Sequence, residues 1–184
     1  EIENHTFNKI PDSDNNWNVL DEAVEIFENL EGKEIGRPHG ASKHYIAHDE
    51  INISTYGRDF WGNSDEGYFF NTELTETNDT FGEVVCRVTA MINGHDGARA
   101  GIMIRDSYSS HSPFYQVCYR PDGRVLFVAR ADYKSNAWVL KEINIGTGHS
   151  PYLKLKKSGN FMEGYYSLDG KEWIKLNYNE MRNT

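Results

Sequence analysis

An all-β fold, a sandwich or jelly roll of antiparallel sheets, is what this chain predicts. Three observations point to it. From Ile35 onward, short alternating runs are broken at close spacing by turn residues. Pro121-Asp-Gly123 sits between two strand-like runs and reads as a compact hairpin. Gly164-Tyr-Tyr-Ser-Leu-Asp-Gly-Lys-Glu-Trp173 reads as a strand that turns at Asp169-Gly170 and resumes at Trp173.

The strands follow in order. Ile51-Asn-Ile53 leads into Tyr56-Gly57, and Gly67 to Phe70 follows the turn pair Asn63-Ser64. Val84, Cys86, Val88, Ala90 and Ile92 share one face of a long strand that Asn93-Gly94 and Asp96-Gly97 interrupt. Ala100, Ile102 and Ile104 share a face of the next. Tyr115 to Arg120 and Val125 to Arg130 flank the Pro121 hairpin. Trp138 to Ile145 predicts another strand, and Tyr152 to Lys156 points Leu153 and Leu155 inward. Phe161 to Ser167 and Glu172 to Leu176 make the last hairpin.

The first thirty residues differ. Leu20, Ala23, Val24, Phe27 and Leu30 fall at helical spacing, although Val24-Glu-Ile26 also suits an edge strand. The chain therefore divides into residues 1–30, which either dock on the sandwich or are a remnant of a preceding module, and a sandwich over residues 31–184.

A chain of 184 residues forms one ordinary domain and needs no covalent staple. Its two cysteines, Cys86 and Cys118, lie inside strand-like runs and read as small buried thiols; a cross-strand disulfide is the less favoured alternative. The net charge of −9 argues against nucleic acid or an anionic membrane as the main partner. No apolar run reaches membrane-spanning length, so no insertion is expected. Glu1-Ile-Glu-Asn-His5 is no secretory signal: either the signal was removed, or this is an excised domain, or the protein is cytosolic. Aromatic content is 13%, with 11 Tyr and 4 Trp, which suits both a packed core and a surface that stacks on sugar rings.

Five motifs in order carry a resemblance. They are Gly57-Arg-Asp-Phe-Trp-Gly-Asn-Ser-Asp65, Ala100-Gly-Ile-Met-Ile-Arg105, a strand ending in Arg130, Leu153-Lys-Leu-Lys-Lys-Ser-Gly-Asn160, and Gly164 to Trp173. Over residues 34–176 the chain resembles a bacterial domain family, the "regulation of enolase protein 1-like" domains. These belong to the concanavalin A-like lectin/glucanase superfamily. The chain departs from that pattern at Tyr152 and Lys154, where the family often has Trp and Arg. The resemblance implies a jelly roll of two curved antiparallel sheets. It implies attachment to other domains of secreted or cell-surface glycan-processing proteins, and sugar binding. It also implies a structural Ca2+.

Candidate ligand-binding residues are Asp59, Trp61, Asp65, Arg105, Asp106, Arg130 and Tyr166. Arg105 shares a face with Gly101 and Met103, and Arg130 with Leu126 and Val128. Each has two readings: a fork that binds sugar hydroxyls or a carboxylate, or an ion pair to Asp59, Asp65 or Asp106 that holds the sheets in register. Trp61 is either a stacking platform beside Asp59 or a plug at the sandwich end. Trp17, Tyr133 and Trp138 are further stacking candidates, and Trp173 reads as core.

No catalytic set emerges. The glucanase run Glu-x-Asp-x-x-Glu is absent, and so is Gly-x-Ser-x-Gly. Asp12-x-Asp14-x-Asn16 starts like an EF-hand loop but fails at Trp17 and Ala23. His44 and His48 lack the Glu of a zinc protease helix. The chain is expected to be a non-catalytic carbohydrate-binding module whose partner is an oligosaccharide or polysaccharide. A structural or adhesion domain is the alternative, and a glycoside hydrolase of the same fold ranks last.

Overall fold

The computed structural model describes residues 3–8, 30–47, 49–73, 81–92, 94–159 and 161–180. They form thirteen strands and no helix: β1 (Glu3–Asn8), β2 (Glu31–Ile35), β3 (Lys43–Ala47), β4 (Glu50–Thr55), β5 (Gly67–Asn71), β6 (Phe81–Ile92), β7 (Ala100–Arg105), β8 (Phe114–Tyr119), β9 (Arg124–Arg130), β10 (Trp138–Asn144), β11 (Tyr152–Ser158), β12 (Phe161–Ser167) and β13 (Ile174–Glu180). All their pairings are antiparallel. Seven strands run in the order β13-β12-β11-β6-β1-β4-β3, four in the order β10-β9-β8-β7, and β2 pairs with β5. Leu20, Ala23, Val24 and Phe27 of the helical spacing, Trp17, the acidic run at 12–16 and His48 lie outside the described residues.

The seven- and four-stranded sheets pack together as a β-sandwich. Cys86, Val88, Leu153, Leu155, Met162, Tyr166 and Leu176 from one meet Ala100, Ile102, Val117, Tyr119, Val125 and Phe127 from the other. Alternation explains the choice: on β11 the odd residues Leu153 and Leu155 are buried, and the even ones are half-buried. Each fully buried leucine contributes about 1.5–3 kcal/mol. Gly164 leaves room for the Phe127 ring and Val117, which a side chain there would strike.

The four-stranded sheet is covered on its second face too. Phe114, Cys118, Leu126 and Val128 form a second apolar cluster with Ala137, and Phe60 and Met103 pack against it. This is why Val125 to Arg130 is buried without a break instead of alternating. Cys86 lies between the sheets, whereas Cys118 lies on the far side of β8, so the two thiols are unpaired. Burial pushes the Cys118 thiol up to about 12 and the Cys86 thiol higher still.

Local chemistry sets the turns. Gly123 takes a φ of 86° in the Pro121 hairpin, and its N–H donates to the Arg120 carbonyl at 3.0 Å. In the β12–β13 turn, Gly170 has a φ of 75°. The Asp169 carboxylate there accepts from the N–H groups of Lys171 (2.8 Å) and Glu172 (2.9 Å) and from the Ser167 hydroxyl (2.9 Å). These donors hold the Asp169 carboxyl below its ordinary range.

Two predictions follow from these groups. Neither thiol should react with an aromatic disulfide reagent in the native protein, and both should react in denaturant; a fast native reaction would contradict the burial. Asp169 is easier to ionise folded than unfolded. Its stabilising contribution is therefore complete above about pH 4 and is lost as the pH falls through its depressed value. A carboxyl NMR titration of Asp169 with its midpoint at or above the ordinary aspartate value would refute this.

Candidate functional site

The outer face of the four-stranded sheet ends in a cross-strand row. Arg105 pairs with Phe114, and Phe114 with Arg130, so β7, β8 and β9 place two guanidiniums on either side of one ring. The Arg130 guanidinium carbon sits 4.9 Å from the Phe114 ring centre. That of Arg105 lies 5.8 Å from both the Phe60 and Phe69 rings. Both side chains need a counterion, because buried charge without one is costly.

Asp65 supplies it. Its segment folds back on itself through a bridge between Asp59 and Glu66, and the Asp65 N–H donates to the Ser110 carbonyl at 2.7 Å. The carboxylate takes a two-pronged fork from Arg130 at 2.6 and 2.8 Å, and Arg105 adds a contact at 3.2 Å. All three side chains are at most 2% exposed. Arg130 also donates to the carbonyls of Gly62 (3.0 Å), Trp61 (3.3 Å), Ser110 (3.3 Å) and Ser112 (3.0 Å). Arg105 donates to Ser107 (2.7 Å) and Ser109 (2.6 Å). Burial pushes the Asp65 carboxyl upward while the two guanidiniums pull it down. Burial likewise lowers Arg105, and Asp65 opposes it.

This cluster ties loops together. Besides the 59–66 and 106–112 loops, the loop before β10 joins: Ala137 N–H donates to the Gly62 carbonyl at 2.7 Å, and Lys134 N–H to the His111 carbonyl at 3.0 Å. His111 Nδ1 lies 2.6 Å from the Asn63 carbonyl. The three loops carry exposed aromatic rings: Trp61 (37% exposed), Tyr108 (43%) and Tyr133 (57%). The Tyr108 hydroxyl donates to Asn71 at 2.8 Å, which fixes the ring.

The sequence candidates separate into groups. Asp65, Arg105 and Arg130 come together, but they are occupied with each other and offer no free fork to a solute. Asp59 pairs with Arg99 at 3.4 Å, and the Arg99 guanidinium lies 4.6 Å from the Trp61 ring centre. Asp106 is exposed and makes no ion pair with either group, although its charge acts on the neighbouring Arg105. Tyr166, 6% exposed, is core between the sheets, because Leu153 opposite it on β11 faces the same way. A binding role for its ring is corrected accordingly. Trp138 is exposed on β10. Trp173 is half-buried outside both apolar clusters, with the Lys154 ammonium 4.1 Å from its ring centre.

Sequence reasoning missed a cleft of about 550 Å³ over this cluster. Glu34, Gly36, Arg37, Arg58, Ser64, Asp65, Glu66, Tyr108 and Ser110 line it. Two Gly-Arg pairs frame it. A side chain on Gly36 would collide with the Asp65 carbonyl, and one on Gly57 with the Glu66 carbonyl. Only glycine lets these backbones approach residues 65 and 66 so closely. The following residues, Arg37 and Arg58, are exposed on the cleft. The repeated Gly-Arg pair was the available signal.

Among the described residues no group of three or more His, Cys, Asp or Glu side chains is placed to hold a metal ion. The nearby carboxylates Asp59 and Asp65 are engaged by arginines, so they do not suit the expected Ca2+.

Asp65→Ala leaves two buried guanidiniums without their carboxylate. It should cost about 3–5 kcal/mol in urea unfolding, against about 0.5 kcal/mol or less for the exposed Asp106→Ala. Equal stabilities for the two variants would contradict the shared ion pair. Compared with known proteins, the chain matches no family model, no curated protein and no solved structure.

Proposed function

We propose that this domain is a non-catalytic carbohydrate-binding module that takes its ligand at the cleft and on the rings of the three joined loops. The sandwich is, on this reading, a concanavalin A-like jelly roll of the "regulation of enolase protein 1-like" type. It acts in a secreted or cell-surface glycan-processing protein, tethered to other domains. Tethering matters because a shallow site binds weakly alone and gains from a high effective concentration.

One observation carries the reading: exposed Trp61 and Tyr108 stand on loops that a single buried arginine pins in place, and Tyr133 stands on a third loop bonded to those two through the Ala137 and Lys134 N–H groups. A sugar ring has an apolar face that stacks on an aromatic side chain. Its hydroxyls need donors and acceptors at the edge of that contact. Arg37, Arg58, Glu34, Glu66, Ser64 and Ser110 offer both around the cleft. The volume falls within the range of about 300–1,000 Å³ usual for small-molecule sites. Fixed loops add little ordering cost on binding.

The test is calorimetric titration with a panel of neutral and acidic oligosaccharides, run with calcium and again with a chelator. At least one glycan should bind. Tyr108→Ala and Trp61→Ala should each weaken it by about tenfold, which corresponds to about 1.4 kcal/mol, with the melting temperature changed little. A folded protein that binds no member of the panel in either buffer would overturn the proposal.

A further inference from the structure

We infer that the ligand of this cleft is an acidic saccharide, one whose uronate carboxylate is held by Arg37 and Arg58. The inference rests on the carbohydrate-binding reading and names the substrate class of the same site.

Charge distribution is the first argument. The chain carries a net charge of −9, so an anion meets a repulsive surface in general. The cleft is an exception. Asp65 is the member of the buried cluster that lines it, and its carboxylate is already neutralised from behind by Arg105 and Arg130. Arg37 and Arg58 bring two positive charges to the rim, against Glu34 and Glu66. The cleft is therefore close to balanced, where the protein as a whole is strongly negative. Glu34 is moreover turned to a neighbour, accepting from the Ser42 N–H at 2.6 Å. Lys33, whose ammonium lies 5.8 Å from the Tyr108 ring centre, is paired with Glu31 at 2.8 Å and adds no uncompensated charge.

The second argument is occupancy. The other arginines near the loops have partners: Arg99 with Asp59, and Arg105 and Arg130 with Asp65. Arg37 and Arg58 have no ion-pair or hydrogen-bond partner among the described residues. Two glycines pressed against residues 65 and 66 bring these two forks to one cleft. A guanidinium presents parallel N–H donors that match a planar carboxylate. Stacking on Tyr108 would hold the sugar ring while the forks hold its acid group.

Oligogalacturonate, its methyl ester and a sulfated oligosaccharide of equal charge are the probes. The acid should bind about tenfold or more tightly than its ester, because esterification removes the charge-assisted bonds. In the double variant R37A/R58A the acid and the ester should bind alike, with circular dichroism and melting unchanged, since both side chains are exposed. Raising salt to about 1 M, where screening acts over about 3 Å, should weaken the acid and leave the ester alone. The inference is overturned if the ester or the sulfated probe binds as tightly as the acid, or if R37A/R58A keeps the preference. It also falls if only neutral glycans bind; that result leaves the carbohydrate-binding reading standing. Absence of binding to every glycan removes both.

Discussion

A single carboxylate shared by two arginines holds the loops at one end of the four-stranded sheet together. Asp65 comes from a loop, Arg105 from β7 and Arg130 from β9, and none of the three is tolerable alone away from water. Because Arg130 spends its remaining donors on the backbone carbonyls of two loops, the pair does more than cancel charge. It converts irregular backbone, which would otherwise be poorly satisfied against an apolar sheet face, into a fixed lid. The apolar cluster of Phe114, Cys118, Leu126 and Val128 is buried, with Phe60 of that lid packed against it.

The arrangement separates buried support from an exposed layer of side chains. Charged groups that look suited to ligand binding are turned inward and saturated with hydrogen bonds. Those left to the surface, Arg37, Arg58, Trp61 and Tyr108, come from the segments the inner group positions. Binding sites work best when the contacting residues rest on a locked second layer. Here the locked layer is ionic, and the exposed layer is aromatic with a charged rim.

Much of the fold was legible in the sequence. Alternation marked β4, β6, β7 and β11, the Pro121-Asp-Gly123 turn marked β8 and β9, the Asp169-Gly170 turn marked β12 and β13, and both turns sit where expected. β2 and β3 were missed for physical reasons. Glu31-Gly-Lys-Glu-Ile35 buries only its last residue, and Lys43–Ala47 buries none, so neither has an apolar face to read. β1 carries one large apolar residue in six, yet it pairs with β4 on one side and β6 on the other. The site was half legible. Strand parity put Arg105 and Arg130 on one face, and Asp65 was among three named partners. That both arginines choose the same carboxylate is a tertiary fact. The cleft depends on backbone contacts at Gly36 and Gly57, which periodicity does not register.

Sequence distance between the partners bears on how the protein is made. Asp65 and Arg130 are 65 residues apart, and the loops they join close only after β7, β8 and β9 have found their register. Closing so long a loop is slow and comes late in folding. A nascent chain that has emerged only as far as β8 offers Asp65 the Arg105 guanidinium but not the two-pronged Arg130 fork. The loops that carry Trp61 and Tyr108 therefore wait on β7, β8 and β9, and a slipped β8–β9 register would undo them.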